Sequence, residues 1–394
     1  MAAISPGAAL SCILARHATK SEESLRFMSN QPKAHLVLIA VAGLSLLLGL
    51  WAGIVRLGWA LSVPEPALPL FHGPLMVIGF LGTLIGLERA VAMGQLWPYG
   101  VPLFTGLSGL VVLAGVPLEW GALLATIGSS LMLLVFIALY RQSPAAHFVT
   151  MGLSGVAWVI GNWLWLLGFP LYSVVPWWVG FLVLIIAGER LELSRLVRPS
   201  LTTRALFHLC TAIALLGLVY SIVHFQAGIR VAGIGWMALS LWLMRHDIAR
   251  RTIRESGLPR FMAASLLVGY VWLAVGGLLW LLFAPQFVAG PRYDAMLHSI
   301  FLGFVFSMIF AHAPVIFPSI TGIPLPFQLS FFTHLILLHA SLLLRVGGDL
   351  TLWMPGQKWG GMLNILSVLL FLISNVRATK IGLRSRQNKV RLKD

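Results

Sequence analysis

The stretch Phe71-His72-Gly73-Pro74-Leu75-Met76-Val77-Ile78-Gly79-Phe80-Leu81-Gly82-Thr83-Leu84-Ile85-Gly86-Leu87-Glu88-Arg89 runs for fifteen residues between His72 and Glu88 without an ionisable side chain. Only a helix or a closed barrel satisfies its own backbone across hydrocarbon, and a helix needs about 20 apolar residues to do so. The stretch therefore reads as the heart of a membrane span over 70–92, with a histidine near one surface and a Glu-Arg pair near the other. The rest of the chain repeats the pattern. Of its 394 residues, 59% are hydrophobic and 10% charged, with a mean hydropathy of +0.91. A soluble domain is about 45–50% apolar and about 25% charged, so that class is excluded. The expected fold class is all-α, a polytopic membrane protein.

Apolar runs read in windows of about 19 residues place twelve transmembrane helices at 35–57, 70–92, 98–116, 120–140, 146–167, 173–190, 203–223, 228–245, 260–283, 294–316, 327–346 and 357–377. Proline marks the breaks: Pro64, Pro66 and Pro69 after the first run, Pro98 before the third, Pro170 after the fifth, and Pro318, Pro324 and Pro326 between the tenth and eleventh. No linker is long enough to separate a pair of domains. The organisation is a disordered cytoplasmic tail over 1–34, one transmembrane domain over 35–377 and a basic cytoplasmic tail over 378–394. Residues 1–34 lack the apolar core of a signal peptide, and Met28, just before the first span, is an alternative translation start.

Orientation follows from the cations. With the N-terminus inside and sides alternating, 22 of the 27 Lys and Arg fall inside and only Arg56, Arg230, Arg292, Arg345 and Lys358 outside. That asymmetry is the positive-inside rule, and one span more or fewer would scramble it. It implies a multi-pass protein of the bacterial inner membrane with both termini cytoplasmic. The net charge of +15 is carried by span ends and tails, so its partner is the lipid bilayer rather than nucleic acid.

Cys12 and Cys210 are the only cysteines. Without CxxC or CxxCH the chain has no iron–sulfur, zinc-ribbon or c-type haem attachment motif, and a metal has to rely on His, Met or carboxylates. Ionisable groups within spans cost several kcal/mol unless paired or ligated, so each is a functional candidate. They are His72, His208, His298, His312, His334 and His339, with Glu88 and Glu189 as the carboxylates at span depth. His72 opens the second span and His298 the tenth, in Met296-Leu297-His298-Ser299-Ile300-Phe301-Leu302-Gly303-Phe304. Both spans run from outside to inside, so the two imidazoles share one level beneath the outer surface. Each is followed by Gly-Phe, and Gly79, Gly82 and Gly86 supply a strip of small residues along which a flat macrocycle approaches the backbone. A haem iron held by two axial histidines needs two ligands from different helices at equal depth, as this pair offers. The alternative is that the glycines serve helix packing and each histidine is an interfacial residue.

His312 follows His298 by fourteen residues, about 21 Å and nearly four full turns on the same side of the helix. His334 and His339 lie in the eleventh span, five residues apart and turned from each other. A copper site using His312 with one of them is one reading, and core polar residues bonded to carbonyls are the other. An echo joins Leu84-Ile85-Gly86-Leu87-Glu88-Arg89, Ile185-Ile186-Ala187-Gly188-Glu189-Arg190 and Met308-Ile309-Phe310-Ala311-His312-Ala313, at the inner ends of spans two, six and ten. Three four-helix units in pseudo-threefold order explain that spacing. Glu88, Glu189 and His312 are then equivalent, either as a proton-handling or cation-binding cluster or, because Arg follows each Glu, as anchored and neutralised charges.

The His72 segment with Gly79-Phe80, and the His298 segment with Gly303-Phe304 running into Ala311-His312-Ala313-Pro314, resemble the two signature helices of the NnrS-type haem-copper membrane proteins. More distantly, the twelve-span layout resembles the catalytic subunit of haem-copper oxidases and nitric oxide reductases. The resemblance implies a b-type haem with His72 and His298 as axial ligands, copper as a further cofactor, a redox partner, and a role in redox chemistry or the nitric oxide response. This chain has no histidine in span six, and only one at the outer level of span ten, so a single haem replaces the binuclear centre of the active enzymes. The alternative function is a proton- or cation-coupled transporter or channel for a small solute, with Glu88, Glu189 and the histidines lining its path.

Overall fold

The computed structural model describes residues 34–63, 66–111, 114, 116–194 and 200–391. Met28, Cys12 and the N-terminal tail up to residue 33 lie outside the described residues. Among those described, every regular element is helical. Eleven helices are long and apolar enough to cross a membrane: α1 (Ala34–Arg56), α2 (Leu68–Met93), α4 (Leu118–Gln142), α5 (Ala146–Leu166), α6 (Leu171–Ser194), α7 (Leu201–Tyr220), α8 (Phe225–His246), α9 (Leu258–Gln286), α10 (Pro291–Thr321), α11 (Phe331–Thr351) and the membrane-crossing part of α12, Met354–Gln387. The protein is thus a polytopic helical membrane protein.

The third expected span is described only in part. It is a 12-residue helix, α3 (Gly100–Val111), entered through a 3-10 turn at Trp97–Tyr99. Its described residues rise about 18 Å at 1.5 Å per residue, and residues 112, 113 and 115 lie outside the described ones. The glycines of α3 let it nestle between its neighbours: a Cβ on Gly109 would lie 3.0 Å from the Cα of Gly79 in α2. At the other end of the chain α12 continues to Arg391, so the basic segment after residue 377 rides on the same helix as the last span.

Short connections make sequential helices pack as antiparallel neighbours, α4 with α5, α5 with α6, α7 with α8, and α11 with α12. At the centre stand α2, α6 and α10, whose apolar windows are 61%, 78% and 61% buried against 28–56% for the other spans. These are the helices that carry the sequence echo, each four apart. Two of them share a further feature. Leu75–Gly82 in α2 and Ser299–Phe306 in α10 are π-helical, each beginning within a turn of its histidine. A π turn holds one residue more than an α turn and rotates everything beyond it, and such turns concentrate at functional sites.

Candidate functional site: the paired histidines of α2 and α10

His72 and His298 meet. Their ring centroids are 6.0 Å apart with 28° between the planes, at the end of the bundle where both helices begin. Each ring is oriented by a backbone carbonyl. His72 Nδ1 lies 2.7 Å from the Gly49 carbonyl of α1, and His298 Nδ1 lies 3.0 Å from the Asp294 carbonyl one turn back in α10. A carbonyl only accepts, so Nδ1 carries the proton in both rings and Nε2 presents its lone pair. This is the usual way a metal-binding histidine is oriented and its tautomer set. Close approach of α1 is built into the sequence at Gly53, where a Cβ would lie 3.1 Å from Cε1 of His72.

The two lone pairs meet different surroundings. His72 Nε2 has no hydrogen-bond partner among the described residues, and the ring lines a cavity of about 100 Å³. Its walls are apolar, from Leu50, Val77, Val175, Phe301, Phe306 and Val368 among others, with Trp178 on the α6 side. His298 Nε2 faces Arg345 of α11, whose NH2 is 3.3 Å away. Arg345 in turn clamps Asp294 through two bonds, Nε to Oδ2 at 2.7 Å and NH2 to Oδ1 at 2.9 Å, and Asp294 Oδ1 is 3.1 Å from His298 Nδ1. Asp349, one turn beyond Arg345 and wholly buried, completes this charged corner.

A haem is the group the resemblance implies, and the spacing of the two histidine rings fits its iron. Metal–imidazole bonds are about 2.0–2.1 Å, so one iron between two ring nitrogens sets the ring centroids about 6 Å apart, as observed. The 3.3 Å contact between Arg345 and His298 Nε2 is the one that ligation displaces, and Arg345 keeps both bonds to Asp294 without it.

The other candidates lie elsewhere. Arg89 donates to Glu189 of α6 and, at 3.4 Å, to Glu88 beside it, so the two glutamates share one guanidinium at the opposite end of the bundle. The pairing is across helices, with Arg190 turned instead toward Asp247 at 3.9 Å. His312 is there too, within electrostatic reach of Glu189, Arg190 and Asp247; its Nδ1 is 2.6 Å from the Met308 carbonyl and its Nε2 is buried without a hydrogen-bond partner. His334, 1% exposed, is boxed by Phe261, Phe310, Phe331 and Phe371 with neither nitrogen hydrogen-bonded. His339 has both nitrogens engaged, Nδ1 by Trp272 at 3.0 Å and Nε2 by Ser307 at 3.5 Å. His312, His334 and His339 thus keep separate company, and among the described residues no group of three or more His, Cys, Asp or Glu is placed to hold a metal ion.

Two expectations need correction. Gly79, Gly82 and Gly86 do not line the cavity: they receive Ser45, Trp158 and Val101, respectively. They face neighbouring helices because helix packing claims small residues first, and the glycines beside the cavity are Gly53 and Gly73. Glu88 and Glu189 are also not the only carboxylates at span depth, since Asp294 and Asp349 lie inside α10 and α11. The signals were present in the i, i+4 spacing of Asp294 and His298 and in Arg345 lying among apolar residues. Arg345, counted as an outer-surface charge, is 7% exposed.

No curated protein and no solved structure matches this chain. One family model does, over residues 35–380, which takes in nearly the whole helical bundle. By that match the chain belongs to the family described as a domain of unknown function, DUF8744.

Proposed function

We propose that this membrane protein binds a haem between α2 and α10, with His72 and His298 as its axial ligands, and that it serves in electron transfer. The observation that carries the reading is the 6.0 Å separation of the two rings. Two imidazoles that share one iron would stand at about this spacing, given metal–nitrogen bonds of about 2.0–2.1 Å. A five-coordinate haem with a diatomic gas on its free side needs a second ligand's length in addition, so the spacing favours two protein ligands over a gas-binding site. Haem held in this way supplies one-electron exchange, with no open coordination position for substrate chemistry.

The chain's own residues have definable tasks in this reading. The Gly49 and Asp294 carbonyls hold the two imidazoles in the tautomer that offers Nε2. The apolar wall from Leu50 to Val368 excludes water, and the Arg345–Asp294 pair stands beside His298 as a fixed charge-assisted contact. A role in the nitric oxide response rests on the NnrS-like resemblance of the two helices, and copper has no support beyond that resemblance. Against the transporter reading, Glu88 and Glu189 are tied to Arg89 rather than facing an open path.

The test is the absorption spectrum of the purified protein, oxidised and reduced. One haem per chain with a six-coordinate low-spin spectrum is expected, lost in His72→Ala and converted or lost in His298→Ala. Folded protein that takes up no haem, or that keeps an unchanged spectrum in both variants, overturns the proposal. Solute uptake by haem-free protein in vesicles would transfer the case to the transporter.

A further inference from the structure

Trp272 of α9, His339 of α11 and Ser307 and Gly303 of α10 close a ring around the π-helical turn below His298. Indole is a donor only, so at 3.0 Å Trp272 Nε1 gives its hydrogen to His339 Nδ1. A neutral imidazole that accepts at Nδ1 carries its proton on Nε2, which points at Ser307 Oγ 3.5 Å away. Ser307 has its own hydrogen committed to the Gly303 carbonyl at 2.6 Å, which leaves the oxygen's lone pairs to accept from His339. The circuit closes through packing. A Cβ on Gly303 would fall 2.4 Å from both Cβ and Cγ of Trp272, so the indole lies directly on the backbone whose carbonyl ends the chain of bonds. Every donor has one direction, and three helices are joined at a single turn.

We propose that this ring is a clamp that holds the π-helical register of α10, and that His339 is thereby a positioning residue for His298. A π turn pairs its backbone less well than an α turn, so its register needs outside support, and Gly303 is five residues from His298 in the turn that sets the ring's rotation. In α2 the equivalent contact has no such circuit: the Ser45 hydroxyl lies against Gly79 without a hydrogen-bond partner. The link to His298 as a ligand rests on the haem reading, whereas the clamp itself does not.

Hydrogen exchange of the full-length protein in detergent, read by mass spectrometry on peptides covering 299–310, tests the clamp without reference to haem. Trp272→Phe, which keeps an aromatic ring on Gly303 and removes only the N–H, and His339→Leu are each expected to speed exchange there roughly tenfold, equivalent to about 1.4 kcal/mol. Exchange over Leu75–Gly82 should stay within about twofold of the parent, which separates a released turn from general loosening. Ser307→Ala gives the same readout should either larger change fail to fold. Unchanged exchange over 299–310 in the folded variants overturns the clamp. In haem-loaded protein the same variants are expected to broaden the low-spin electron paramagnetic resonance signal, and an unaltered signal overturns the positioning role of His339. Protein that never takes up haem defeats the functional proposal, and the clamp is then judged on exchange alone.

Discussion

α2 and α10 present the same side chain at the same level and hold it by opposite means. His72 is oriented from outside its helix, by the Gly49 carbonyl of α1, and its Nε2 is left open to the cavity. His298 is oriented from within its helix, by the Asp294 carbonyl and carboxylate, and its Nε2 is met by Arg345. The π turns differ in the same way, with a hydrogen-bonded clamp at Gly303 and an unpartnered hydroxyl at Gly79. Two helices that share a sequence pattern thus divide their tasks. One keeps a ligand free, and the other embeds its ligand in a charged network that has to survive burial.

That contrast breaks first at Arg345. Replacing it with Leu removes both guanidinium bonds from Asp294, whose carboxylate is 20% exposed and keeps only His298 Nδ1 at 3.1 Å, a loss of about 1–3 kcal/mol, visible as a fall in the melting temperature of the purified protein. Adding Asp294→Asn to Arg345→Leu should recover much of the loss, and no recovery would show that the pair is not the source of it. Glycine substitutions sharpen the comparison at the two π turns. Gly303→Ala puts a methyl 2.4 Å from Trp272 Cβ and Cγ and should cost about 1–3 kcal/mol, while Gly79→Ala meets longer contacts, 2.7 and 2.9 Å to Ser45 Oγ and Cβ and 3.2 Å to the Gly109 Cα, and should cost less. Equal losses by thermal or denaturant unfolding would erase the asymmetry. The smallest expected effect is at the serines themselves. Ser45→Ala removes a buried hydroxyl that has no hydrogen-bond partner and should leave stability within about 0.5 kcal/mol, whereas Ser307→Ala gives up about 1 kcal/mol of hydrogen bonding.

The bundle was largely legible in the chain because the membrane admits few solutions. About twenty apolar residues in a row, broken by prolines and flanked by cations on one side, leave little but a helix of known direction. The site was only partly legible. Helical rise places His72 and His298 at one depth, but Asp294 is not among the candidates read from the chain and Arg345 is assigned to the outer side, since the pairing of the two depends on a partner from another helix. The glycine strip was misplaced for the same reason. Which neighbour presses on a glycine is a property of packing, invisible in the strip itself.

What the amino-acid sequence determined by itself is therefore one-dimensional: how many apolar helices there are, which way each runs, and how deep each polar group lies along its axis. Rotation about those axes was decided by the tertiary structure. It turned His72 and His298 toward each other at 6.0 Å, sent Arg89 to the glutamate of a neighbouring helix and set Trp272 on Gly303. Depth follows from a fixed rise per residue, but azimuth depends on which surfaces interlock and, in α2 and α10, on π turns that shift the phase of every residue beyond them.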